Sequence, residues 1–187
     1  GDPPNISLVD TIVGVGCVSR DSIQATGTDL IFLSQSGIRS LRRTVQEKSL
    51  PMRELSLNIR DDVVDYLALE PNLNNIKAAY FEREAFYILT LPSSKIMIYV
   101  DLRTELPNGS ARITTWSIDN GDVFKTYLST ANRKLYVGVP NGIGEYTGYK
   151  DNNQSYELAY KSPFSDVGGG VVKKFLKKAK LLVIGSG

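Results

Sequence analysis

The sequence predicts an all-β chain built from about three repeated antiparallel units, with one short helix inserted between two of them. Three observations predict it. The stretch "TDLIFLSQSGIRSL", Thr28–Leu41, is answered 105 residues later by "RKLYVGVPNGIGEY", Arg133–Tyr146. A related stretch, "IKAAYFEREAFYILTLPSSKIMIYV", runs from Ile76 to Val100 between them. In all three, short runs that are continuously apolar or alternate are broken at matching places by turn-forming residues.

The outer two copies align without a gap. Setting Leu30 on Leu135 brings Gly37 onto Gly142, Ile38 onto Ile143 and Leu41 onto Tyr146; upstream, Ile23 meets Leu128 and Gly27 meets Asn132. Each copy reads as strand, tight turn, strand, Gly-containing turn, strand. The tight turns are "TGTD" and "TANR", and the second turns are "SQSG" and "VPNG". Gly and Asn tolerate the positive φ that hairpin turns demand. The first hairpins are therefore placed at Ser22–Ser34, Ile76–Leu91 and Tyr127–Val139. In the middle copy Phe86 takes the place of Leu30 and Leu135, the turns are "ERE" and "PSSK", and the second hairpin is about two residues longer. Leu30, Phe32, Phe86, Ile88, Leu135 and Val137 are expected in the core, because each sheet is covered by its neighbours on both faces.

Spacings of 56 and 49 residues, with several strands per unit, are the signature of a β-propeller blade. A blade has four strands, so each copy needs one more. "ARITTWSI", Ala111–Ile118, supplies it for the middle copy, with Ile113–Ser117 as the strand. "SYELAYK", Ser155–Lys161, supplies it for the last, with Tyr156, Leu158 and Tyr160 alternating. The first copy is irregular: Val45 fits a short outer strand, and Leu57, Val63, Val64 and Leu67 fit a helical stripe closed by Pro71. The blades thus occupy about 12–55, 75–118 and 122–161 within 1–165, with a helix inside 55–70. A β-sandwich with recurring hairpins is the competing fold; even spacing and matched glycines argue against it. Propellers close with at least about four blades, so three make an incomplete ring, and the chain is expected to be part of a longer protein.

Residues 166–187 break the pattern. Gly168–Gly170 reads as a flexible joint, followed by Lys173, Lys174, Lys177, Lys178 and Lys180 among apolar residues. As a helix, Val172, Phe175, Leu176, Ala179 and Val183 share one face with Lys173, Lys177 and Lys180 opposite. As a strand, Phe175 alternates with Lys173 and Lys177 and opens a further domain. The five lysines are the candidate interface. Residues 161–187 carry six Lys and one Asp, whereas 1–160 carry 16 basic and 19 acidic side chains. Lysines without interleaved aromatics are a weak nucleic-acid signal.

Composition narrows the chemistry. Hydrophobic residues make up 42% and charged residues 22% of 187, an ordinary globular balance with net charge +2. There is no His, which removes the commonest general base, the usual triads and most zinc sites. The one cysteine, Cys17, forms no internal disulfide and reads as a small buried residue. No run of 18 apolar residues could span a membrane. Asp61, Asp62 and Asp65 fall on the inserted helix, where acids near the first turn favour the dipole. Glu82 and Glu84 fall in a hairpin turn, where solvated charges belong. Neither set reads as a paired-carboxylate site. Arg39, Arg42 and Arg43 read as salt-bridge partners, and "NGS" at Asn108 and "NIS" at Asn5 match the glycosylation pattern. "DNGD" lacks calcium-loop spacing, and the Gly-rich stretches lack the Lys of a phosphate loop. No catalytic residue, cofactor or metal site is expected, and the chain is not expected to be an enzyme.

"VDTIVGVGCVSRDSIQATGTDLIFLSQSGIRSL" resembles a module of tail proteins of tailed bacteriophages, especially short-tailed ones. There a "GxGCxxxxSI" strand precedes a "DLxFLSxxGIRSL" hairpin. "KIMIYVDLRTELPNGSARITTWSI" is similar to the next blade of those proteins, and "SPFSDVGGGVVKKFLKKAKLLVIGSG" to the exit from it into a Lys-rich strand. The family is that of tail tubular protein B, or nozzle, and related hub components. The resemblance implies a structural virion component that assembles with other tail proteins as a homo-oligomeric ring. DNA would pass nearby without sequence-specific binding. A carbohydrate- or receptor-binding propeller is the alternative, since ten Tyr and one Trp could stack on sugars.

Overall fold

Residues 15–46, 54–118, 122–129 and 133–148, with Ser155 and Ala159, are described by a computed structural model. The chain divides into two units, Gly1–Ser155 and Tyr156–Gly187, and every element below belongs to the first. Among the described residues the fold is mostly β: three antiparallel sheets, few helices and no closed barrel.

The first sheet holds β1 (Gln24–Ala25), β2 (Leu30–Ser34) and β3 (Gly37–Ser40), in that order. The second holds β4 (Lys77–Phe81), β5 (Phe86–Leu91), β6 (Ile96–Glu105) and β7 (Ala111–Trp116). The third holds β8 (Thr126–Ser129), β9 (Leu135–Val139) and β10 (Gly142–Glu145). The expected repeat is therefore present as paired strands. Ala25 faces Leu30, Phe81 faces Phe86 and Ser129 faces Leu135 across the first hairpins. Ser34 faces Gly37 and Val139 faces Gly142 across the second, both with two-residue loops. The middle sheet spends four residues there, between Leu91 and Ile96. Gly37 and Gly142 have nearly the same backbone, φ 151° and 155°, a conformation that L side chains rarely adopt.

Sheet 2 lies between the other two, and strand alternation divides its side chains. Ala78, Tyr87, Leu89, Leu91, Ile98 and Val100 join Ile31, Leu33 and Ile38 of sheet 1 in one core. Ala79, Phe81, Phe86, Ile88 and Met97 join Leu135 and Val137 of sheet 3 in the other. Coverage on both faces is why β5, "FYILTL", is apolar at nearly every position and buried throughout. The facing corrects one correspondence. Phe86 points toward sheet 3, whereas Leu135 points toward sheet 2 and Leu30 away from it, so the middle copy is one residue out of step in its facing.

Other expectations meet corrections. Phe32, Phe86, Ile88, Leu135 and Val137 are buried as expected, but Leu30 is exposed. Val45 sits on a helix, α1 (Leu41–Gln46), and not on an outer strand, so only sheet 2 has four strands among the described residues. The inserted helix is α2 (Arg60–Ala68); it buries Val63 and packs Tyr66 and Leu67 on the core, leaving Leu57 and Val64 outside the stripe. The outer strand at Ile113–Ser117 is realised as β7. Cys17 is exposed: it bridges Ser34 at the margin of sheet 1, and its thiol donates to the Ser19 carbonyl at 2.9 Å. The outer strand expected at Tyr156–Tyr160 and the segment 166–187 lie outside the described residues.

Candidate functional site

The densest polar cluster lies under sheet 1. Between α1 and α2 the chain passes Glu54, Leu55 and Ser56 beside β3: the Leu55 N–H donates to Ile38 O, and the Leu55 carbonyl accepts from Ala111 N, each at 2.9 Å. This pass replaces the outer strand of sheet 1 and ties it to β7. Its carboxylate, Glu54, is fully buried; it accepts from Arg39 Nη2 at 2.5 Å and from Arg60 Nε at 2.8 Å. Arg39 also donates to Ser34 Oγ and Ser36 Oγ. Gly37 makes the room. A Cβ there would collide with Ser56 Oγ and lie 2.9 Å from Glu54 Oε2. The Arg60 guanidinium is held above its usual value, chiefly by its hydrogen bond to Glu54. A buried carboxylate that accepts from two guanidiniums holds chain segments together.

A second cluster forms where the first strands of the sheets, β1, β4 and β8, meet. A cleft of about 280 Å³ opens there, lined by Arg20, Asp21, Gln24, Lys77, Thr126 and Tyr127 among others. Its charges pair internally: Asp21 takes Lys77 and Arg20, and both hold its carboxyl below the usual range, Lys77 more strongly. Gln24 Nε2 donates to Ala78 O at 3.0 Å, and the Tyr127 hydroxyl pairs with Thr90.

The third feature is aromatic. Trp116 stacks on Tyr99 at 4.5 Å and on Tyr146 at 6.2 Å, with Phe81 and Phe86 beneath. Tyr146 donates to Glu84 Oε2 at 3.2 Å, and burial is the main cause that raises its hydroxyl pKa. The rings cover one another's faces and seal the junction of sheets 2 and 3.

The sequence-derived candidates fall into place around these features. Asp61, Asp62 and Asp65 are exposed on α2, with Asp61 and Asp62 in its first turn. Glu82 is exposed in its turn, while Glu84 is half-buried beside Tyr146. These acids are not brought together, and no group of three or more acidic, Cys or His side chains that could hold a metal occurs among the described residues. Arg39 and Arg43 do form ion pairs, with Glu54 and Glu105, whereas Arg42 is exposed and has no ion pair among the described residues. Asn108 shapes its own turn, accepting from Ser110 N and Oγ and donating to Asn58 Oδ1 at 2.7 Å. In the "DLRT" stretch, Arg103 grips Asp101 with two nitrogens at 2.9 and 2.7 Å, at an irregularity in the β6–β7 pairing. Lys173, Lys174, Lys177, Lys178 and Lys180 lie outside the described residues, and so does Asn5.

Glu54 was not singled out by sequence reasoning, and "PMRELSL" carries no period or motif that could have marked it. What the repeat does mark is a set of equivalent positions with opposite fates. Ile38 is fully buried against sheet 2, while Ile143, its equivalent in sheet 3, is 83% exposed. Leu135 is buried against sheet 2, while Leu30, its equivalent in sheet 1, is 37% exposed. Leu41 is exposed where Tyr146 packs on Phe81 and Phe86. Among the described residues, the repeat thus leaves Leu30 and Leu41 exposed at sheet 1 and Ile143 at sheet 3, while Phe32, on the same strand face as Leu30, is buried. On sheet 1, a shallow groove of about 530 Å³ is lined by Ala25, Leu30, Leu41 and Val45, with Asp29 and Arg42 beside them. On sheet 3, Ile143 stands on the face that also carries Tyr136.

Comparisons with protein-family models, with curated proteins and with solved structures returned no match. No helix among the described residues is long and apolar enough to cross a membrane.

Proposed function

We propose that this chain is a structural scaffold of a phage tail, similar to nozzle and hub components. Its sheets would act as propeller-like blades in a ring around the channel through which DNA leaves, with no cofactor and no catalytic role. One observation carries the reading: repeat positions that are buried inside the stack are exposed at its two ends, as in a unit made to be built into something larger. The internal pairing of Glu54, Asp21 and Asp101 supports it, since these carboxylates spend their hydrogen bonds on holding the fold. The resemblance of the "DLIFLSQSGIRSL" and "DLRTELPNGSAR" stretches to tail proteins supplies the setting.

The test is genetic and structural. Tailed particles should contain the protein in several copies by mass spectrometry, and disrupting its gene should yield filled heads that lack complete tails. Amide replacements of Asp61, Asp62, Asp65, Glu82 and Glu84 should leave assembly and infection intact. Tailed, infectious particles formed without the protein would refute the proposal. Loss of infection by the amide variants with normal particles would favour a carbohydrate-processing role instead.

A further inference from the structure

We infer that the Asn141–Gly142 pair, in the turn between β9 and β10, is a site of spontaneous covalent modification, at which the Asn141 carboxamide becomes a carboxylate through an imide formed with the Gly142 nitrogen. The folded chain directs this reaction to Asn141 and away from Asn108–Gly109. The chemistry is independent of the role proposed above.

Asn followed by Gly is where this reaction meets least steric resistance, because Gly has no Cβ to block the approach of its nitrogen to the preceding side chain. The sequence holds three such pairs, at Asn108, Asn120 and Asn141, and the second lies outside the described residues. The other two are held differently. Asn108 Oδ1 accepts from Ser110 N at 3.1 Å and from Ser110 Oγ at 2.7 Å, and its Nδ2 donates to Asn58 Oδ1 at 2.7 Å. The Gly109 N–H donates to Leu106 O at 2.8 Å, and the Gly109 carbonyl accepts from Arg43 Nη1 at 2.5 Å. Swinging the Asn108 carboxamide onto the Gly109 nitrogen therefore breaks hydrogen bonds on both reacting groups. Asn141 is exposed, and among the described residues its carboxamide has no hydrogen-bond partner. The space around Gly142 is open, since a Cβ there would meet nothing within 4 Å.

The step balances. The Gly142 nitrogen gives its proton to solvent and attacks Asn141 Cγ. The new N–C bond forms as the carboxamide C–N bond breaks, and the side-chain nitrogen takes up a proton and leaves as ammonia. One water then opens the five-membered imide. Attack at Cγ restores the ordinary chain as aspartate. Attack at the Asn141 backbone carbonyl leaves the chain running through the side chain, one methylene longer. Only two residues join the paired Val139 and Gly142, so an added methylene there misfits the β9–β10 turn.

The experiment incubates the full folded chain in mildly alkaline buffer made with heavy-oxygen water, and follows the Asn108 and Asn141 peptides by mass spectrometry. Heavy oxygen marks only carboxylates formed during the incubation. The Asn141 peptide should gain the label, as aspartate and isoaspartate together, at least about tenfold faster than the Asn108 peptide, whose carboxamide must first shed three hydrogen bonds. In strong urea the two rates should converge, since each pair then has only its sequence. A mildly acidic buffer should slow conversion at Asn141, because the attacking nitrogen must lose its proton. Asn141→Gln should remove the labelling at that position and leave the urea midpoint unchanged, since the larger ring closes far more slowly and the side chain has no partner to lose. Labelling of Asn108 in the folded chain as fast as Asn141 would overturn the inference. So would an Asn141 peptide that gains label only in urea, or one that yields aspartate with no isoaspartate, which marks direct hydrolysis without an imide.

Discussion

Replacing Glu54 by Ala should cost about 3 kcal/mol of stability, and the sum can be worked from its partners. Glu54 is fully buried, and its two guanidiniums differ: the Arg39 side chain is 9% exposed, that of Arg60 43%. Removing the carboxylate lets Arg60 turn to water at little cost, but strands Arg39 in the interior. Breaking a buried pair from one side costs about 3–5 kcal/mol, because an uncompensated charge remains. Arg39 keeps its hydrogen bonds to Ser34 and Ser36, which places the estimate near the lower end. Against a typical total of about 5–15 kcal/mol this is a large share. It should lower the melting temperature by roughly 6–12 °C. Urea unfolding followed by the fluorescence of Trp116 reads it as a lower midpoint at unchanged slope. Arg60→Ala should cost under about 1 kcal/mol, in the range of half-exposed pairs. The double change Arg39→Met with Glu54→Leu should recover most of the loss, since no charge is then left behind. The reasoning fails if Glu54→Ala costs under about 1 kcal/mol, or if Arg60→Ala costs as much as Glu54→Ala.

Four further outcomes are expected. Gly37→Ala should destabilise more than Gly142→Ala in urea unfolding: both share the unusual φ, at about 1–3 kcal/mol, but only Gly37 has Ser56 and Glu54 in the way of a Cβ. Phe86→Ala and Phe32→Ala should each cost roughly 3–5 kcal/mol, and under about 1 kcal/mol at either would mean it is not core. The side-chain hydrogen bonds of Arg103 hold the Asp101 carboxyl below its usual value, so its stabilising contribution is present above the unfolded-state pKa of about 3.9 and is lost as pH falls below it. Acid unfolding curves of Asp101→Asn should therefore be flatter in that range than those of wild type. In hydrogen exchange, amides of β5 and β6 should be protected longest and those of β10 least, because sheet 2 is covered on both faces and β10 on one; equal protection would refute the two-core description.

Much of this fold was legible because the repeat leaves its mark twice, in apolar spacing and in turn glycines. Gly37 and Gly142 share a φ that favours glycine, so their match in sequence was also a match in backbone. The two extra residues of the middle hairpin were legible as length, but their support was not: Glu70, at the end of α2, accepts from Ser93 N and Ser94 N inside that turn. The irregular stretch after Leu41 was the least readable. A continuation of the repeat predicted a strand, but the Thr44 hydroxyl donates to Ser40 O in the first turn of α1, and Glu54–Ser56 takes the strand's place from a distance. Glu54 itself carries no sequence signal, because its burial depends on two arginines brought to it by β3 and α2. The exposure of Leu30 was missed for a related reason. Local pattern tells which face a residue occupies, and not whether another sheet lies beyond it.

That distinction joins the fold to the proposed function. Where this repeat keeps one side chain at equivalent positions, the copy inside the stack is buried and the copy at its end is exposed. A solitary domain would be expected to replace the end copies by polar residues, as capping repeats do. Here Ile143 keeps the identity of Ile38, and Leu30 that of Leu135. Burying one such side chain is worth about 1.5–3 kcal/mol, so the four exposed positions Leu30, Leu41, Val45 and Ile143 hold several kcal/mol that the single chain does not collect. The polar clusters are arranged the other way. Arg39, Glu54 and Arg60 answer one another inside, as do Asp21, Arg20 and Lys77 at the cleft. Buried ion pairs within the fold, and apolar identities kept at the exposed repeat positions Leu30 and Ile143, are the two observations on which the proposed scaffold role rests.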